Sequence, residues 1–395
     1  MPLSPTVGFQ AAPETTGTIV SYAPEVTYGV LPPVAFQRVR YTGETLSSKK
    51  TRQRPGEIRA SRDMAQAVTT QVEAGGQVNF ALSYGTFDDW LSGLLGSPWP
   101  APAVVQGAAG DIALDASGNL TSGTAGKFTN IPAGGFIRLK GFSTAKNNGV
   151  WRVSNKVSNQ ALVIKGLVTP AAETPAGAAA SITYSTLRNG TQFTSFFLQQ
   201  QLAAGMFLQY PGSYASTFQL TGGVGKFCEG SFTFLSASEL NATVEASTGP
   251  ALAAPTGLIF DGVNSFAGWM FNDISGGQLT DFSLQIENSG AQLEHALGSA
   301  AAVGCVAGSL MGSGKVTVYF ASFSQYVAYL NETTAPLAFI LRDAAGNYYV
   351  ITFPAGTLMN PDIKAGGPNQ PITADFDIEA NPDPVTGATI IIDRL

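Results

Sequence analysis

The residues that could do chemistry in this chain are few and scattered. His295 is the only histidine, so neither a histidine-based catalytic triad nor a histidine-rich metal site can be assembled around it. Asp88 and Asp89 could in principle act as acid and base, but they open a predicted helix, where carboxylates interact favourably with the helix dipole. We therefore predict no catalytic residue, no metal site, no cofactor and no enzymatic activity.

Two other patterns also favour structural roles. Cys228 and Cys305 are too few for a disulfide framework and lie among apolar or small residues, so we predict buried free thiols. The stretch Gly222-Gly223-Val224-Gly225-Lys226 lacks the spacing and the following Ser or Thr of a phosphate-binding loop, and it lies between predicted strands. We interpret it as a tight hairpin.

The clearest structural pattern is a strand that runs directly into a short helix, between Gly75 and Gly96. Val78, Phe80 and Leu82 alternate with polar or small residues, which predicts a strand with one buried face. From Thr86 onward the apolar spacing is helical, with Gly96 at the end. The residues predicted to pack this helix against the core are Phe87, Trp90, Leu91, Leu94 and Leu95.

The same unit occurs a second time between Gly314 and Asn331. A strand alternates through Val316, Val318 and Phe320, and the spacing then becomes helical. The corresponding packing residues of the second helix are Phe323, Tyr326, Val327 and Leu330. Because further strands follow in the same order in both halves, we predict an internal duplication in a mainly β fold.

The composition indicates a folded protein that assembles. Charged residues are 12% of the 395 residues, about half of the roughly 25% usual in soluble domains. The mean hydropathy is +0.12, so much of the surface is uncharged, and such surface is commonly covered by partner subunits. The net charge of −6 argues against a general nucleic-acid binder.

A polar stretch from Thr42 to Met64 has almost no apolar residues. We interpret it as a solvated loop or an arm that orders on a neighbouring subunit, and the loop Asn288 to Gly304 holds the matching place in the second half. Contact with nucleic acid is the less favoured alternative, because no aromatic residues interleave with the basic ones. The basic residues of this predicted assembly arm are Lys49, Lys50, Arg52, Arg54, Arg59 and Arg62.

The pattern divides the chain into three predicted domains. The first copy comprises residues 1–100 and 186–250, the second comprises residues 251–395, and residues 101–185 form an inserted small β-barrel with its own short strands. The N-terminus lacks the pattern of a secretory signal, so we expect synthesis in the cytoplasm. The uncharged stretch Ala296 to Gly314 is too poor in large apolar residues for a membrane span.

These features together resemble the major tail tube proteins of long-tailed (siphovirus-type) bacteriophages. The resemblance rests on a leading strand, a long polar loop, a strand ending in Gly-Thr-Phe-Asp-Asp-Trp-Leu, an inserted β domain, and a later Gly-Lys-Val-Thr-Val-Tyr-Phe before a short helix. It implies a duplicated tail-tube-type β-sandwich or half-barrel, each copy with one α-helix. It also implies stacked rings that form a hollow tube for DNA, and two units per chain would give three chains per ring with pseudo-sixfold symmetry. Stacking needs an element that reaches the next ring, and we expect the basic arm and the matching loop Asn288 to Gly304 to be these ring-stacking elements.

The resemblance further implies a place in the virion tail, after synthesis in the cytoplasm of the host bacterium. The implied partners are the chain itself, the tape measure, the tail terminator and the distal tail proteins, with no membrane. DNA would pass through the lumen without tight binding, because three chains of −6 each carry −18. The insert, which has no second copy, is expected on the outer surface.

A different class of protein also fits a β-rich, acidic, glycine-rich chain. A surface adhesin or carbohydrate-binding module is the main alternative, and a glycan-degrading enzyme is a more remote one. A platform of exposed Trp and Tyr with nearby acids would favour carbohydrate binding. The duplicated strand and helix favour a protein that forms rings.

Overall fold

The computed structural model describes residues 11–174 and 180–395, and this part of the chain is mainly β with two short α-helices. The first ten residues, where we predict no secretory signal, lie outside the described residues. The elements before the insert are β1 Ile19–Pro24, β2 Gln37–Arg38, β3 Gly43–Glu44, β4 Ser47–Gln53, β5 Val68–Ala81 and α1 Asp88–Leu95.

The insert contributes seven strands: β6 Ala103–Gln106, β7 Ile112–Leu114, β8 Asn119–Ser122, β9 Phe136–Lys140, β10 Gly149–Ser158, β11 Ala161–Lys165 and β12 Ser181–Tyr184. The first copy then resumes with β13 Thr186–Arg188, β14 Phe196–Ala203, β15 Met206–Gly223, β16 Glu229–Ser236 and β17 Leu240–Ala242.

The second copy follows. Its elements are β18 Phe266–Phe271, β19 Ile274–Ser275, β20 Leu279–Ser289, β21 Gln292–Glu294, β22 Gly304–Val306, β23 Ser309–Tyr319, α2 Ser324–Leu330, β24 Thr334–Arg342, β25 Tyr348–Lys364, β26 Thr373–Asn381 and β27 Ile391–Arg394.

One continuous antiparallel sheet runs through both copies. Its strand order is β4, β5, β16, β15, β20, β23, β26, β25, so each copy supplies four strands. The alternating apolar residues found in the sequence, such as Val78 and Val316, face one side of this sheet and are buried. One large hydrophobic core, which includes residues of both copies and α1, covers that side.

The two copies correspond strand by strand. In the first copy β1 pairs with β14, β14 with β15, β15 with β16, and β16 with β5. In the second copy β18, β24, β25, β26 and β23 pair in the same succession. The strands β4 and β20 occupy the equivalent place beside β5 and β23.

Two glycines show residue by residue which positions of the two copies correspond. A Cβ on Gly76 would lie 2.4 Å from the carbonyl oxygen of Thr45, and a Cβ on Gly314 would lie 2.4 Å from that of Ser283. Such an approach is open only to glycine. Both glycines and both carbonyls are related by the same offset of 238 residues, since 314 − 76 and 283 − 45 are equal.

The insert is an open sheet, and our expectation of a β-barrel is therefore wrong. Its strand order is β6, β12, β9, β10, β11, β8, β7, and the two end strands do not pair with each other. A physical reason is that the free edge of β7 is already used, since Leu114 and Glu173 exchange backbone hydrogen bonds of 2.9 and 2.7 Å. The sheet nonetheless has its own core, built around Trp151.

The polar stretch before β5 also differs from the sequence interpretation. We expected a loop from Thr42 to Met64, but residues 47–53 form strand β4. The reason is that β5 begins at Val68, seven residues before the predicted start at Gly75, and its extended edge pairs with β4. Only residues 54–67 are left as an irregular arm.

Candidate assembly surfaces

The join between the two copies is itself a β-sheet contact. Strand β15 of the first copy pairs with β20 of the second from Thr217 opposite Glu287 to Gly223 opposite Asp281. On the exposed face, the Gln219 side-chain Nε2 donates to the side-chain Oε1 of Gln285 at 3.1 Å. The chain therefore contains one complete example of how one copy binds the next.

The two outer strands of the sheet are the counterparts of the joined strands. Strand β4 corresponds to β20, and in the described part of the chain it pairs only with β5. Strand β25 corresponds to β15. One edge of β25 pairs with β26, and its other edge has no partner among the described strands beyond Thr357. An unpaired edge exposes N–H and C=O groups that template pairing with another chain.

The sheet face turned away from the core is acidic. Residues directly opposite each other on neighbouring strands share a face, so the pairing registers identify its members. Those positions carry eight acidic side chains, Glu73, Glu229, Asp281, Glu287, Asp362, Asp375, Asp377 and Glu379, and three basic ones, Lys49, Lys315 and Lys364.

One acid on this face is held by basic neighbours. Lys364 Nζ lies 2.7 Å and Lys315 Nζ 3.2 Å from Asp375 Oδ2, and the Thr317 hydroxyl donates to Oδ1 at 2.8 Å. Burial acts to raise the pKa of Asp375, but these hydrogen bonds and charges outweigh it and lower the pKa. Two of the three basic side chains are thus already paired within the face.

The basic residues of the predicted assembly arm fall on two elements. Lys49, Lys50 and Arg52 lie in β4, while Arg54, Arg59 and Arg62 lie in the arm, and all six are exposed. Two guanidinium groups hold the base of the arm: Arg52 donates to the carbonyl of Ala67 at 2.8 Å and Arg54 to that of Ala65 at 2.5 Å. Arg59 forms an exposed ion pair with Glu57 at 2.8 Å.

The matching loop of the second copy is folded back onto the first copy. The Ala302 N–H donates to the Ala237 carbonyl at 3.2 Å, and the Val72 N–H donates to the Ala300 carbonyl at 2.8 Å. The predicted arm Asn288 to Gly304 therefore binds the first copy of its own chain.

The two helices, predicted as equivalent, are placed differently. Phe87, Trp90, Leu91 and Leu94 of the α1 region are at most 3% exposed and belong to the main core. The corresponding face of the α2 region is open in the single chain: Phe323 is 64%, Val327 46% and Leu330 59% exposed, and Tyr326 is half-buried.

The elements around α1 explain its burial. The Trp90 ring lies 5.4 Å from that of Tyr22 in β1, and the Tyr22 hydroxyl donates to Asp89 at 2.8 Å. A carboxylate of the same turn, Asp88, is bonded by the Tyr349 hydroxyl and the Arg394 guanidinium of the second copy. Burial raises the pKa of Asp88, and these two hydrogen bonds oppose the rise. Both acids therefore serve to lock the helix in place.

The remaining chemical candidates stay apart. His295 is exposed, Cys228 is buried and Cys305 is only partly buried. Burial raises the pKa of the Cys228 thiol to about 12 and that of Cys305 to about 11. Among residues 11–174 and 180–395, no three or more His, Cys, Asp and Glu side chains gather in a way that could hold a metal ion.

The insert is anchored on the second copy. The buried carboxylate of Asp393 in β27 accepts the Phe136 N–H at 2.9 Å and the Thr186 hydroxyl at 2.5 Å. The Arg152 guanidinium of the insert pairs with Asp273 at 2.5 Å. A separate apolar cluster joins Phe136 to residues of β18, β24 and β25.

Sequence reasoning missed the two free edges and the covered state of the second arm. The duplication could have revealed them, because each strand that joins the two copies inside the chain has an equivalent strand with an unpaired edge at one end of the sheet. No helix in the described part of the chain is long and apolar enough to cross a membrane.

Comparison with known proteins identifies a family. Residues 15–380 match the family described as phage tail tube protein. A search of curated proteins returned no match. Because the matched residues span nearly the whole chain, including both copies and the insert, this chain belongs to the phage tail tube protein family.

Proposed function

We propose that three copies of this chain close into a ring with pseudo-sixfold symmetry, and that the rings stack into the tail tube through which DNA leaves the virion. The observation that carries the proposal is the sheet with one internal join and two unfilled edges equivalent to that join. Pairing β25 of one chain with β4 of the next repeats the join at each chain boundary. Three chains of eight strands would then leave no edge exposed.

The internal join also predicts the register at the boundary. Thr217 lies opposite Glu287, and the corresponding positions are Met359 in β25 and Lys49 in β4. We therefore expect Met359 to face Lys49 of the neighbouring chain. This places Lys49, one of the three basic side chains on the acidic face, at the contact between subunits.

The acidic sheet face would line the lumen. Its eight acids against three basic side chains give a wall that repels the phosphate backbone. An attractive wall would hold DNA through counterion release and slow its exit. The excess of acids supports passage of DNA without tight binding.

The insert would lie on the outside of the tube. It packs on a cluster that includes Met270, Ile340 and Val350, whereas the acidic face belongs to the eight-stranded sheet. The domain boundaries at residues 100, 185 and 250 remain part of this proposal. So do the tape measure, tail terminator and distal tail proteins as partners, a structural role without catalysis, and assembly after synthesis in the bacterial cytoplasm.

The carbohydrate-binding alternative has less support. Trp90, Trp151 and Trp269 are at most 1% exposed, and Trp99, the last of the four tryptophans, is half-buried against Tyr349. A stacking platform for sugars needs exposed aromatic faces, so the tryptophans do not supply one.

Electron microscopy of the purified protein tests the proposal. Rings or tubes are expected in negative stain, with ring masses equal to three chains by mass photometry. Dispersed monomers at all concentrations would contradict it. Assembled tubes should also fail to retain duplex DNA at about 150 mM salt, where screening leaves contacts only within roughly 8 Å. Tight, sequence-independent retention there would contradict the lumen assignment and point to the basic arm as a DNA contact.

A further inference from the structure

The two arms connect equivalent strand positions but differ in their surroundings. In the first copy Arg52 and Gln53 still pair with Thr69 and Val68, which leaves residues 54–67 as the arm. Between the paired residues Thr51 and Gln71 lie residues 52–70, and between Ser289 and Ser309 lie residues 290–308, which are 19 residues in each case. The second arm is held by the first copy of its own chain. The first arm is exposed through almost all of residues 54–64.

The second arm completes a cleft on the first copy. The Tyr214 hydroxyl donates to the Ala307 carbonyl and the Tyr28 hydroxyl to the Gly304 carbonyl, each at 3.4 Å. The cleft has a volume of about 270 Å³. On the first copy it is lined by Phe193, Thr194, Ser195 and Tyr214 and by Glu25, Val26 and Tyr28 after β1, and the wall opposite them comes from Cys305 and Ala307 of the arm.

The second copy has the same cleft without the second wall. The strand pairings make Thr334 and Thr357 the counterparts of Ser195 and Tyr214, and both line a cleft of about 560 Å³. The rest of its lining is Tyr329, Leu330, Glu332, Met359 and Asn360. Its volume is about twice that of the first cleft, as expected if a wall is missing.

We propose that the arm of residues 54–67 from a second copy of this chain docks on this open cleft, as the second arm docks on the first copy. The proposal rests on the ring described above. The offset of 238 residues makes Met64 the counterpart of Ala302. The offset between β16 and β26 is 144, because Phe232 faces Val78 and Phe376 faces Val316, so Asn381 is the counterpart of Ala237.

This correspondence gives specific contacts. The Met64 N–H of one chain would donate to the Asn381 carbonyl of its neighbour, as Ala302 does to Ala237. Residues 66–69 would follow the wall now formed by residues 304–307. The exposed apolar groups also match, because Met64 on the arm is 77% exposed, Val68 at the start of β5 is 58% exposed, and Leu330 at the cleft is 59% exposed.

The proposal makes the arm a contact between neighbours in one ring. The internal precedent runs sideways, from the second copy to the first along the sheet, because the second arm reaches the ends of β16 and β5. A contact of the same kind at the chain boundary would close the ring and would not by itself join one ring to the next.

Disulfide trapping tests the docking. Met64→Cys with Asn381→Cys, in a Cys305→Ala background, should cross-link neighbouring chains in assembled protein under mild oxidation. The matched control is Ala237→Cys with Ala302→Cys, which should form a disulfide within one chain. Non-reducing gels of the test variant should show dimers and trimers and stop there, because a lateral contact closes after three chains.

Each other result overturns the proposal in a distinguishable way. Tubes that form without the cross-link, while the control pair is oxidised, would exclude this docking and leave the ring intact. A ladder that continues beyond the trimer would mean that the arm joins successive rings. A parent protein that never forms rings would contradict the proposed function itself.

Discussion

The two copies share one strand order, yet the first is covered within the chain and the second is not. Helix α1 has six buried residues and α2 has none among its seven. The first copy has Tyr22 of β1 over its helix and the second arm over its cleft. The second copy has the insert over another face and an open helix and cleft.

This difference between the two copies has a simple physical cause. A repeated unit cannot satisfy its edges alone, and in a linear array the terminal units always expose them. The chain joins two units, so the pairing of their strands and the docking of an arm each occur once within the chain. The equivalent strand edges and the equivalent cleft have no partner in the described part of the single chain. The open side of the second copy therefore presents apolar side chains, among them Phe323 and Leu330, that assembly would bury.

Deleting the two arms should separate their roles most strongly. Replacing residues 54–67 with a short Gly-containing turn should leave a folded monomer, because this arm buries little within the chain, and should abolish rings. Replacing residues 290–308 in the same way should lower thermal stability, since that arm is docked on the first copy. Circular dichroism and sedimentation velocity measure both effects.

The comparison fails if both deletions behave alike. Rings of normal mass after removal of residues 54–67 would show that the first arm has no part in assembly. Unchanged thermal stability after removal of residues 290–308 would show that the docked arm contributes little to the fold.

Removing the insert tests whether it shields apolar residues of the second copy from water. The ends at Pro100 and Ser185 are joined by a 2.8 Å hydrogen bond, so a short linker can replace residues 103–184. The excised protein should be poorly soluble, because Ile340 and Val350 lose the cover of the insert. Adding Ile340→Thr and Val350→Thr should restore soluble protein that forms rings, as gel filtration and microscopy can show.

Two results would argue against this account of the insert. Full solubility without the added substitutions would mean that the cluster needs no cover. Failure to fold with them would mean that the insert belongs to the core of the second copy.

A matched pair of leucines compares the helices directly. Leu94 is fully buried and Leu330 is exposed at the corresponding position. Leu94→Ala should lower the free energy of unfolding by about 2–5 kcal/mol, while Leu330→Ala should change it by less than about 0.5 kcal/mol. Denaturant unfolding of the monomer measures both, and similar losses in the two variants would contradict the difference in packing.

A substitution of Leu330 also tests assembly. Leu330→Asp should leave the monomer stable and weaken ring formation, because it places a charge at the cleft proposed to receive the arm. Leu297→Asp is a control at another exposed leucine, on the second arm, which is docked within its own chain and does not line this cleft. Equal assembly of Leu330→Asp and the parent protein would remove the cleft from the interface.

Much of the fold could be predicted from the sequence because the periodic pattern is local. The period of two through Val78 and Val316 and the helical spacing after it depend only on nearby residues. The different fates of Leu94 and Leu330 depend on what covers each helix, and that covering comes from distant strands or from another chain. Spacing alone therefore gave two equivalent helices.

The candidate assembly surfaces were less predictable for a similar reason. The basic residues from Lys49 to Arg62 stand out by composition, but the extension of β5 to Val68 that turns half of them into a strand is a pairing effect. The open shape of the insert likewise follows from the bridge between Leu114 and Glu173, whose partners are far apart in sequence.

The last expected effect concerns pH at the anchor of the insert. Asp393 is fully buried, and burial raises the pKa of its carboxyl to about 7 against the hydrogen bonds from Thr186 and the Phe136 N–H. In the unfolded chain its pKa returns to near 3.8. The folded state therefore binds more protons between these two values, and the contribution to stability that is present below about pH 4 is lost as the pH rises to 7.

The free energy of unfolding should fall by about 2–3 kcal/mol between pH 5 and pH 8 from this group alone. Asp393→Asn cannot titrate, so the difference in stability between the two proteins should change over that range, whatever the other groups contribute. The matched control is Asp383→Asn, because the pKa of Asp383 is lowered and its titration ends below this window. A constant difference between Asp393→Asn and the parent protein from pH 5 to 8, measured by denaturant unfolding, would mean that the buried carboxylate stays charged throughout, and that the second copy holds its insert without a titrating group.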